Sequence, residues 1–276
     1  MADPYNLVLY PESYSEFFSV WSRYPTAIPY AGGTGLIREQ GRQVLDLPPT
    51  VLSLDRLDEM NRISRSERFL EIGAMVKLSR IIDLGKIVPD VLRCCLESIA
   101  GPQLRNMATI GGNICFPGRR LDSTAALNAL DAQFELRQTQ STRWISASRF
   151  FSMPREDALN PQELLTRIRI PLDNWDCWAY KKFEGQASRS RVVAFLVKTQ
   201  KSILSDIKII YKTDLIWRNR DSESILIGKH LPLSRRIAAD FVEHWEDFLS
   251  SVHNIDELSR QELINFIELN IYNLSK

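Results

Sequence analysis

The sequence predicts a protein of the α+β class, in which strands and helices are mixed along the whole chain. Short apolar runs bounded by turn residues indicate strands, and apolar stripes at helical spacing with capping signals indicate helices. The two kinds of pattern interleave from the first residues to the last. With 276 residues, of which 44% are hydrophobic, the chain is long enough to bury a large core without disulfide or metal support.

The charge balance and the apolar pattern exclude several classes of partner. The chain has 35 Lys and Arg against 34 Asp and Glu, a formal net charge of +1, so the basic surface of a nucleic-acid binder is missing. No apolar run approaches the roughly 20 residues of a membrane span. The start, Met1 to Tyr5, lacks the basic and then apolar pattern of a signal peptide. We therefore expect no nucleic-acid partner, no membrane span and a cytoplasmic location.

The first 55 residues predict a small mixed lobe. A strand at 7–10 precedes Ser13 and Glu16, which have the spacing of a capping box at the start of an amphipathic helix. A second strand at 27–31 leads into a glycine-rich segment. Two further strands are predicted, at 44–47 and 51–54, separated by two prolines.

Residues 56–172 predict a second lobe. It contains a strand at 69–74 and a helix at 78–84. A second helix at 90–100 has an apolar face, with Gly101 placed to terminate it. Asp122 is predicted to cap a helix that continues through Leu130, and a strand follows at 134–137.

Residues 173–276 predict a third region of strands and helices. Its strands are expected at 192–197 and 207–211. Two amphipathic helices close the chain, and Ser259 with Glu262 predicts a capping box at the start of the second. The apolar stripe of the first helix consists of Ile237, Ala238, Phe241, Trp245, Phe248 and Leu249, and that of the second of Leu263, Phe266, Ile267, Ile271 and Leu274.

Cysteine and histidine positions predict no metal site in this chain. No Cys-x-x-Cys pair is present, and the three histidines, at 230, 244 and 253, lie far downstream of three of the four cysteines. Cys94 and Cys95 are neighbours on one predicted helix, so their side chains point to different faces. An iron–sulfur centre needs about four well-placed thiolates, which the chain does not offer. We expect reduced thiols.

Two segments combine paired glycines with small hydroxyl and amide residues: Tyr30-Ala31-Gly32-Gly33-Thr34-Gly35 and Ala108-Thr109-Ile110-Gly111-Gly112-Asn113-Ile114. A pyrophosphate carries two negative charges and no donors, so it favours a turn where backbone N–H groups converge and no Cβ blocks approach. Both segments are expected at strand ends and could supply such a turn. Neither has the spacing of a Rossmann or Walker motif. The alternative for each is a tight turn or bulge without a ligand.

The order of several motifs resembles the FAD-binding medium subunit of the molybdenum hydroxylases, the xanthine dehydrogenase and carbon monoxide dehydrogenase family. The motifs are Ala31-Gly32-Gly33-Thr34, then the run from Gly101 to Ile114, then Asp122, and finally Leu130-Asp131-Ala132. The resemblance implies a two-lobed FAD-binding fold of the vanillyl-alcohol-oxidase (PCMH) type plus a small C-terminal α+β domain. The implied boundaries are 1–55 and 56–172 for the two FAD-binding lobes and 173–276 for the C-terminal domain.

The resemblance also implies the cofactor contacts. FAD is expected to bind without a covalent bond. The first segment contacts its pyrophosphate, the second contacts its second phosphate and ribityl chain, and Asp122 makes a further polar contact. The implied cofactor-binding residues are Ala31, Gly32, Gly33, Thr34, Gly35, Thr109, Gly111, Gly112, Asn113 and Asp122. Arg105 has two interpretations, one as part of this site and one as a structural arginine bonded to loop carbonyls.

Three departures from the family pattern stand out. Gly35 replaces the Asp that usually follows Gly-Gly-Thr, and Gly118-Arg119 replaces a common Ser-Pro pair. The second change brings Arg119 and Arg120 near the flavin region. There they compensate a phosphate charge, raise the flavin potential by stabilising its anionic reduced form, or form a solvated surface pair. The stretch at 183–189 matches the family's C-terminal loop only loosely.

The function implied by the resemblance is electron transfer within a larger complex. A large molybdenum-cofactor subunit hydroxylates the substrate, a small subunit carries [2Fe–2S] clusters, and FAD in this chain passes electrons to NAD, oxygen or another acceptor. The molybdenum cofactor and the clusters are expected only in partner subunits. No catalytic side chain and no metal are expected here. Two alternatives remain: a scaffold subunit that has lost FAD, and a stand-alone flavin oxidase.

Overall fold

The computed structural model describes residues 7–40, 47–116, 121–183, 190–253 and 255–276. The chain divides into two compact units, Met1–Leu172 and Asp173–Lys276. Strands and helices occur in both units, as the sequence predicts. Among the described residues, no helix has both the length and the apolar character needed to cross a bilayer.

A parallel three-stranded sheet forms the N-terminal lobe of the first unit. Its strands run in the order β1-β3-β2, and the elements are β1 (Leu7–Leu9), α1 (Tyr14–Arg23), β2 (Ile28–Tyr30), α2 (Thr34–Gln40) and β3 (Thr50–Ser53). Ser13 caps α1 by accepting a hydrogen bond from the Glu16 N–H, as predicted, but the Glu16 carboxylate accepts from the Glu12 N–H instead of the Ser13 N–H of a full capping box. Helix α1 buries Phe17, Phe18 and Trp21.

An antiparallel five-stranded sheet forms the second lobe, with strands in the order β4-β5-β8-β6-β7. These strands are β4 (Ile63–Arg65), β5 (Phe69–Gly73), β6 (Gln133–Arg137), β7 (Thr142–Ser146) and β8 (Leu164–Pro171). Alternate residues of the central strands are fully buried, for example Phe134 and Leu136 in β6, so one face of the sheet meets the core.

The helices of the second lobe are α3 (Leu78–Ile82), α4 (Asp90–Glu97), α5 (Pro102–Arg105), α6 (Ile110–Ile114), α7 (Ser123–Ala129), α8 (Ala147–Ser152) and α9 (Arg155–Ala158). Every residue of α7 is buried. The start of α7 is therefore fixed by the core of this lobe, and with it the position of the predicted site residue Asp122.

The second unit is an antiparallel sheet with strands in the order β12-β11-β10-β9 and three helices. Its elements are β9 (Cys177–Phe183), β10 (Arg191–Gln200), β11 (Ile203–Lys212), β12 (Ile216–Trp217), α10 (Arg220–Leu226), α11 (Arg235–Ser251) and α12 (Glu257–Asn273). Phe195 and Ile209 of the sheet share one core with Trp245 of α11 and Ile267 of α12. This unit therefore has its own hydrophobic core.

The predicted end of the helix at 90–100 is wrong. Helix α4 ends at Glu97, and the residue in left-handed conformation is Ala100, with φ 50°. Gly101 has φ −85° and stands immediately before α5, whose first residue is Pro102. Gly101 therefore precedes a new helix and does not terminate the old one.

Two predicted helix starts also need correction. Asp122 occupies the N-cap position of α7, but its side chain makes no capping hydrogen bond. The predicted capping box of the last helix is wrong because the helix begins at Glu257 and Asp256 caps it. Ser259 lies inside the first turn and donates to Asp256 from both its N–H and its hydroxyl.

Helix α12 carries more apolar surface than the predicted stripe. The stripe itself is buried, as predicted, but Leu258, Leu269 and Tyr272 are each more than half exposed. The prediction of a simple amphipathic helix is therefore incomplete.

Three predicted features lie outside the described residues. They are residues 44–46 of a predicted strand, the Gly118-Arg119-Arg120 segment, and residues 184–189 of the loose family match.

Candidate functional site

The two glycine-rich segments come from different lobes and meet in the folded chain. We call residues 31–35 the first glycine segment and residues 108–114 the second. A Cβ atom on Gly32 would overlap the Met107 carbonyl oxygen and lie 3.3 Å from Cα of Ala108. A Cβ atom on Gly112 would lie 3.8 Å from Cβ of Ala31. The absence of a side chain at Gly32 thus lets the two segments approach each other, whereas a Cβ atom on Gly112 would meet Ala31 at an ordinary van der Waals distance.

The first glycine segment is a turn between β2 and α2. Gly33 has φ 67°, a left-handed conformation that favours glycine, and Thr34 begins α2. Among the described residues, the N–H groups of Gly32 and Gly33 have no hydrogen-bond acceptor. The turn therefore presents backbone donors that the described part of the chain leaves available.

The second glycine segment does not lie at a strand end, so that prediction is wrong. It forms α6, capped by Thr109, whose Oγ1 accepts a hydrogen bond from the Gly112 N–H at 3.0 Å. The Gly111 N–H donates to the Ala74 carbonyl at 2.8 Å, and the Asn113 N–H donates to the Thr109 carbonyl at 2.9 Å. Because these three N–H groups are already used, Gly111, Gly112 and Asn113 offer no free backbone donors.

The two glycines of the second segment have different surroundings. Gly111 is buried, and a Cβ atom there would lie 2.6 Å from Cβ and 2.7 Å from the carbonyl oxygen of Ala74. Gly112 is exposed, and a Cβ atom there would have only the Thr109 hydroxyl within 3 Å. Packing of the lobe therefore requires glycine at 111, whereas the surface at 112 is open toward the first segment.

Asn113 of the second segment and the start of α7 form a buried polar group. Asn113 is 8% exposed and Asp122 is 7% exposed. The Ser123 hydroxyl, next in sequence to Asp122, donates to Asn113 Oδ1. This bond fixes the amide and leaves Nδ2 of Asn113, which has no acceptor among the described residues, as a donor.

Three residues near the segments were missed by the sequence analysis. Tyr30 places its hydroxyl against Gly33, and Phe116 places its ring against Gly35. Lys77 donates from Nζ to the Met107 carbonyl at 3.2 Å. The aromatic residue directly before Ala31 was a visible signal for Tyr30. The other two contacts are long-range and have no local signature.

Arg105 has a structural role. Its Nη1 donates to the carbonyls of Glu97 at 2.8 Å, Ile99 at 3.0 Å and Ala100 at 2.6 Å. These bonds hold the chain between α4 and α5 together. The interpretation of Arg105 as a structural arginine bonded to loop carbonyls is confirmed.

A separate hollow on the second lobe is lined by Ser64, Arg65, Ser66, Phe69, Glu71 and Arg169. Burial opposes the charged form of Glu71, but hydrogen bonds from Arg169 and Arg167 outweigh it and hold the pKa of this carboxyl below its ordinary value. The Arg169 guanidinium also stacks over the Trp144 ring at 4.0 Å. These charges stabilise the sheet surface, so the glycine segments are the stronger candidate site.

Two lobes with separate sheets meet through their glycine segments, as the predicted two-lobed FAD-binding fold requires. Residues 3–173 match the family described as the FAD binding domain in molybdopterin dehydrogenase, and the chain belongs to this family. The resemblance inferred from the glycine motifs is thereby confirmed. The chain is an oxidoreductase subunit, the FAD-binding medium subunit of a molybdenum hydroxylase.

Two relatives and one solved structure are similar to this chain over most of its length. The glyceraldehyde dehydrogenase medium chain of Sulfolobus acidocaldarius is 32% identical over 209 residues, 74% of each chain. The nicotine 6-hydroxylase medium subunit of Paenarthrobacter nicotinovorans is 26% identical over 245 residues, 85% of this chain and 86% of the relative. A chain of quinoline 2-oxidoreductase from Pseudomonas putida 86 superposes with a TM-score of 0.81 at 22% identity, covering 100% of this chain and 98% of that one. The predicted fold is confirmed.

Proposed function

We propose that this chain holds FAD without a covalent bond at the two glycine segments and passes electrons from an iron–sulfur partner to NAD, oxygen or another acceptor. The observation that supports the site is the pair of N–H groups on Gly32 and Gly33, which have no acceptor among the described residues. A pyrophosphate offers acceptors and negative charge to such a turn. The residues present therefore fit the phosphate part of FAD.

Each predicted site residue has a role in this proposal. In the first segment, Gly32 and Gly33 donate from the backbone and Thr34 from its hydroxyl. Ala31 presents only a methyl group, and Gly35 makes room for the Phe116 ring. In the second segment, Thr109 Oγ1 already accepts a bond from Gly112, so its O–H is the group left to donate.

The rest of the second segment and α7 complete the site. Asn113 donates from its amide, Gly112 gives an open surface, and Gly111 holds α6 in place. Asp122 is a further polar contact near the start of α7. We assign these contacts to an FAD-binding lobe of residues 1–55 and another of 56–172, with residues 173–276 as the C-terminal domain.

Bound FAD supplies the exchange of single electrons and the transfer of a hydride. This chain's residues hold and orient the cofactor, and electron transfer requires no general acid or base from them. The residues predicted for the site are accordingly all cofactor-binding residues, and none is assigned a catalytic role.

The absorption spectrum of the purified full chain tests the proposal. We expect a yellow protein with about one FAD per chain, and acid precipitation releases the chromophore as intact FAD, identified by mass spectrometry. A chromophore that stays with the precipitate contradicts non-covalent binding. A colourless chain that takes up no added FAD favours the scaffold alternative.

We further propose two partner subunits, a large one with the molybdenum cofactor and a small one with [2Fe–2S] clusters. The relatives are named as medium chains or subunits, which supports a multi-chain assembly. Ile37, Leu104 and Met107 lie beside the glycine segments and are 48%, 44% and 48% exposed. A partner that docks beside the glycine segments would cover these apolar side chains.

Purification of the untagged chain from native extract tests the assembly. We expect a larger species that contains molybdenum and iron, and we expect Leu104→Glu to reduce recovery of the partners while FAD stays bound. A free monomer that oxidises an organic substrate without either metal contradicts the assembly and favours a stand-alone oxidase.

We infer a cytoplasmic location for this subunit. The four cysteines all lie within the described ranges and form no disulfide with one another. Such cysteine usage is typical of a reducing compartment. Localisation of the tagged full chain by cell fractionation tests this inference.

A further inference from the structure

The side chain of Tyr30 lies across the first glycine segment. Tyr30 is the last residue of β2, and its carbonyl accepts a hydrogen bond from the Leu54 N–H at 3.0 Å. A Cβ atom on Gly33 would overlap the Tyr30 hydroxyl oxygen and lie 2.7 Å from Cζ. Glycine at position 33 therefore makes room for this phenol in addition to adopting a left-handed φ.

The described residues leave the hydroxyl of Tyr30 unused. Among the described residues it has no hydrogen-bond partner, in contrast to the Tyr211 hydroxyl, which donates to the Ser259 carbonyl at 3.4 Å. Tyr30 is half-buried, so the hydroxyl is held at the turn and remains accessible. The N–H groups of Gly32 and Gly33 in the same turn also have no acceptor among the described residues.

The turn thus combines backbone and phenol donors that the described fold leaves without acceptors. A ligand that suits this arrangement carries several acceptor oxygens close together. Charge on those oxygens makes each hydrogen bond stronger than a neutral one. A pyrophosphate has these properties, whereas an isoalloxazine ring offers fewer acceptors and no comparable charge.

We propose that the Tyr30 hydroxyl donates a hydrogen bond to the pyrophosphate of FAD and positions it against Gly32 and Gly33. The inference rests on the proposed binding of FAD at this turn. It adds a side-chain donor outside the two glycine segments. The competing explanation is that the Tyr30 ring only supports the turn by packing, in which case the hydroxyl oxygen is dispensable.

Tyr30→Phe separates the two explanations because it removes the hydroxyl and keeps the ring. The experiment uses the full chain stripped of FAD and measures the dissociation constants of FAD and of ADP, which contains the pyrophosphate but no flavin. We expect Tyr30→Phe to weaken both ligands by a similar factor, about tenfold or more. The unfolding temperature of the ligand-free chain should stay unchanged.

Tyr24→Phe is the matched control, since Tyr24 is an exposed tyrosine at the end of α1. We expect it to bind both ligands like wild type. Wild-type affinity in Tyr30→Phe overturns the inference and leaves FAD binding intact. Weaker FAD binding with unchanged ADP binding, or a lower unfolding temperature with unchanged ADP binding, also overturns it. A wild-type chain that binds no FAD removes the proposed function and this inference together.

Discussion

The ring of Phe116 occupies the space in which a side chain at position 35 would stand. A Cβ atom on Gly35 would overlap ring atoms Cδ2 and Cε2 of Phe116 and lie 3.1 Å from Cζ. Gly35 belongs to the first glycine segment and Phe116 follows the second, so this contact joins the two lobes beside the site. It gives a physical reason for the departure at Gly35, because the Asp common at this position in the family would displace the ring.

Gly35→Asp is expected to lower both stability and FAD affinity. The new side chain must push the Phe116 ring aside, and overpacking of this kind costs about 1–3 kcal/mol. The displaced ring also disturbs the approach of the two segments. Thermal unfolding of the ligand-free chain and FAD titration measure the two effects.

The double variant Gly35→Asp with Phe116→Ala gives the control. Removal of the ring opens the space that Asp needs. We therefore expect the double variant to lose less unfolding free energy than the two single variants lose together. Residues in direct contact show such coupling, and distant residues do not. Strictly additive effects contradict a steric link between positions 35 and 116.

Gly111→Ala and Gly112→Ala are expected to act on different properties. The alanine at 111 meets Ala74 at 2.6 Å, so it lowers the stability of the ligand-free chain by about 1–3 kcal/mol. The alanine at 112 lies at an exposed position facing Ala31, so it lowers FAD affinity about tenfold with a smaller effect on folding. Urea unfolding and FAD titration of both variants check this. If Gly112→Ala keeps full affinity, the cofactor does not approach residue 112.

The sequence predicted the glycine segments but not the local structure of the second one. Ile110 to Ile114 contains two glycines, which disfavour a helix. The helix forms because Ile110 and Gly111 donate to the carbonyls of Val76 and Ala74 across the lobe. No periodic pattern within five residues encodes bonds to residues more than thirty positions away.

Longer elements were predicted more reliably because their periodicity is local. Helix α1 has both a Ser13 cap and an apolar stripe, and both are found in the structure. Helix ends are harder to predict, because several nearby residues can serve as the cap. Helix α12 is capped by Asp256 and not by the predicted Ser259. The Phe116 contact depends on tertiary packing and the Tyr30 contact on the left-handed turn at Gly33, so neither was predicted.

Arg105→Leu is expected to lower stability and leave FAD binding unchanged. The substitution removes the hydrogen-bond donor to the carbonyls of Glu97, Ile99 and Ala100. Because the region is not fully buried, water replaces some of these hydrogen bonds. We expect a loss of about 1 kcal/mol and an FAD dissociation constant within about twofold of wild type. A large loss of affinity at unchanged stability would place Arg105 in contact with the cofactor instead.

The cap of α12 makes part of the C-terminal unit sensitive to pH. The carboxylate of Asp256 accepts a bond from the Ser259 hydroxyl at 2.7 Å and another from the Ser259 N–H at 2.9 Å. These bonds favour the charged form and hold the pKa of Asp256 below its ordinary value. Because the pKa is lower in the folded state, the charged cap stabilises the helix above the ordinary Asp pKa of about 3.9. That stabilisation is lost as the pH falls through the lower pKa that Asp256 has in the folded state.

Asp256→Asn is therefore expected to weaken the first turn of α12 at pH 7 and to have a smaller effect near pH 3, below the ordinary Asp pKa of about 3.9. Asparagine still caps a helix through its side-chain oxygen, so the variant loses mainly the charge on the acceptor. Asp256 is largely exposed, and solvent screening limits the difference to about 0.5 kcal/mol at pH 7. Hydrogen exchange of a peptide covering residues 255–267, compared between variant and wild type at each pH, measures it. Ser259→Ala serves as the control, since it removes the hydroxyl donor and should reduce the pH dependence in the same way. A difference between Asp256→Asn and wild type that is equal at both pH values would show that the charge of Asp256 does not stabilise this helix.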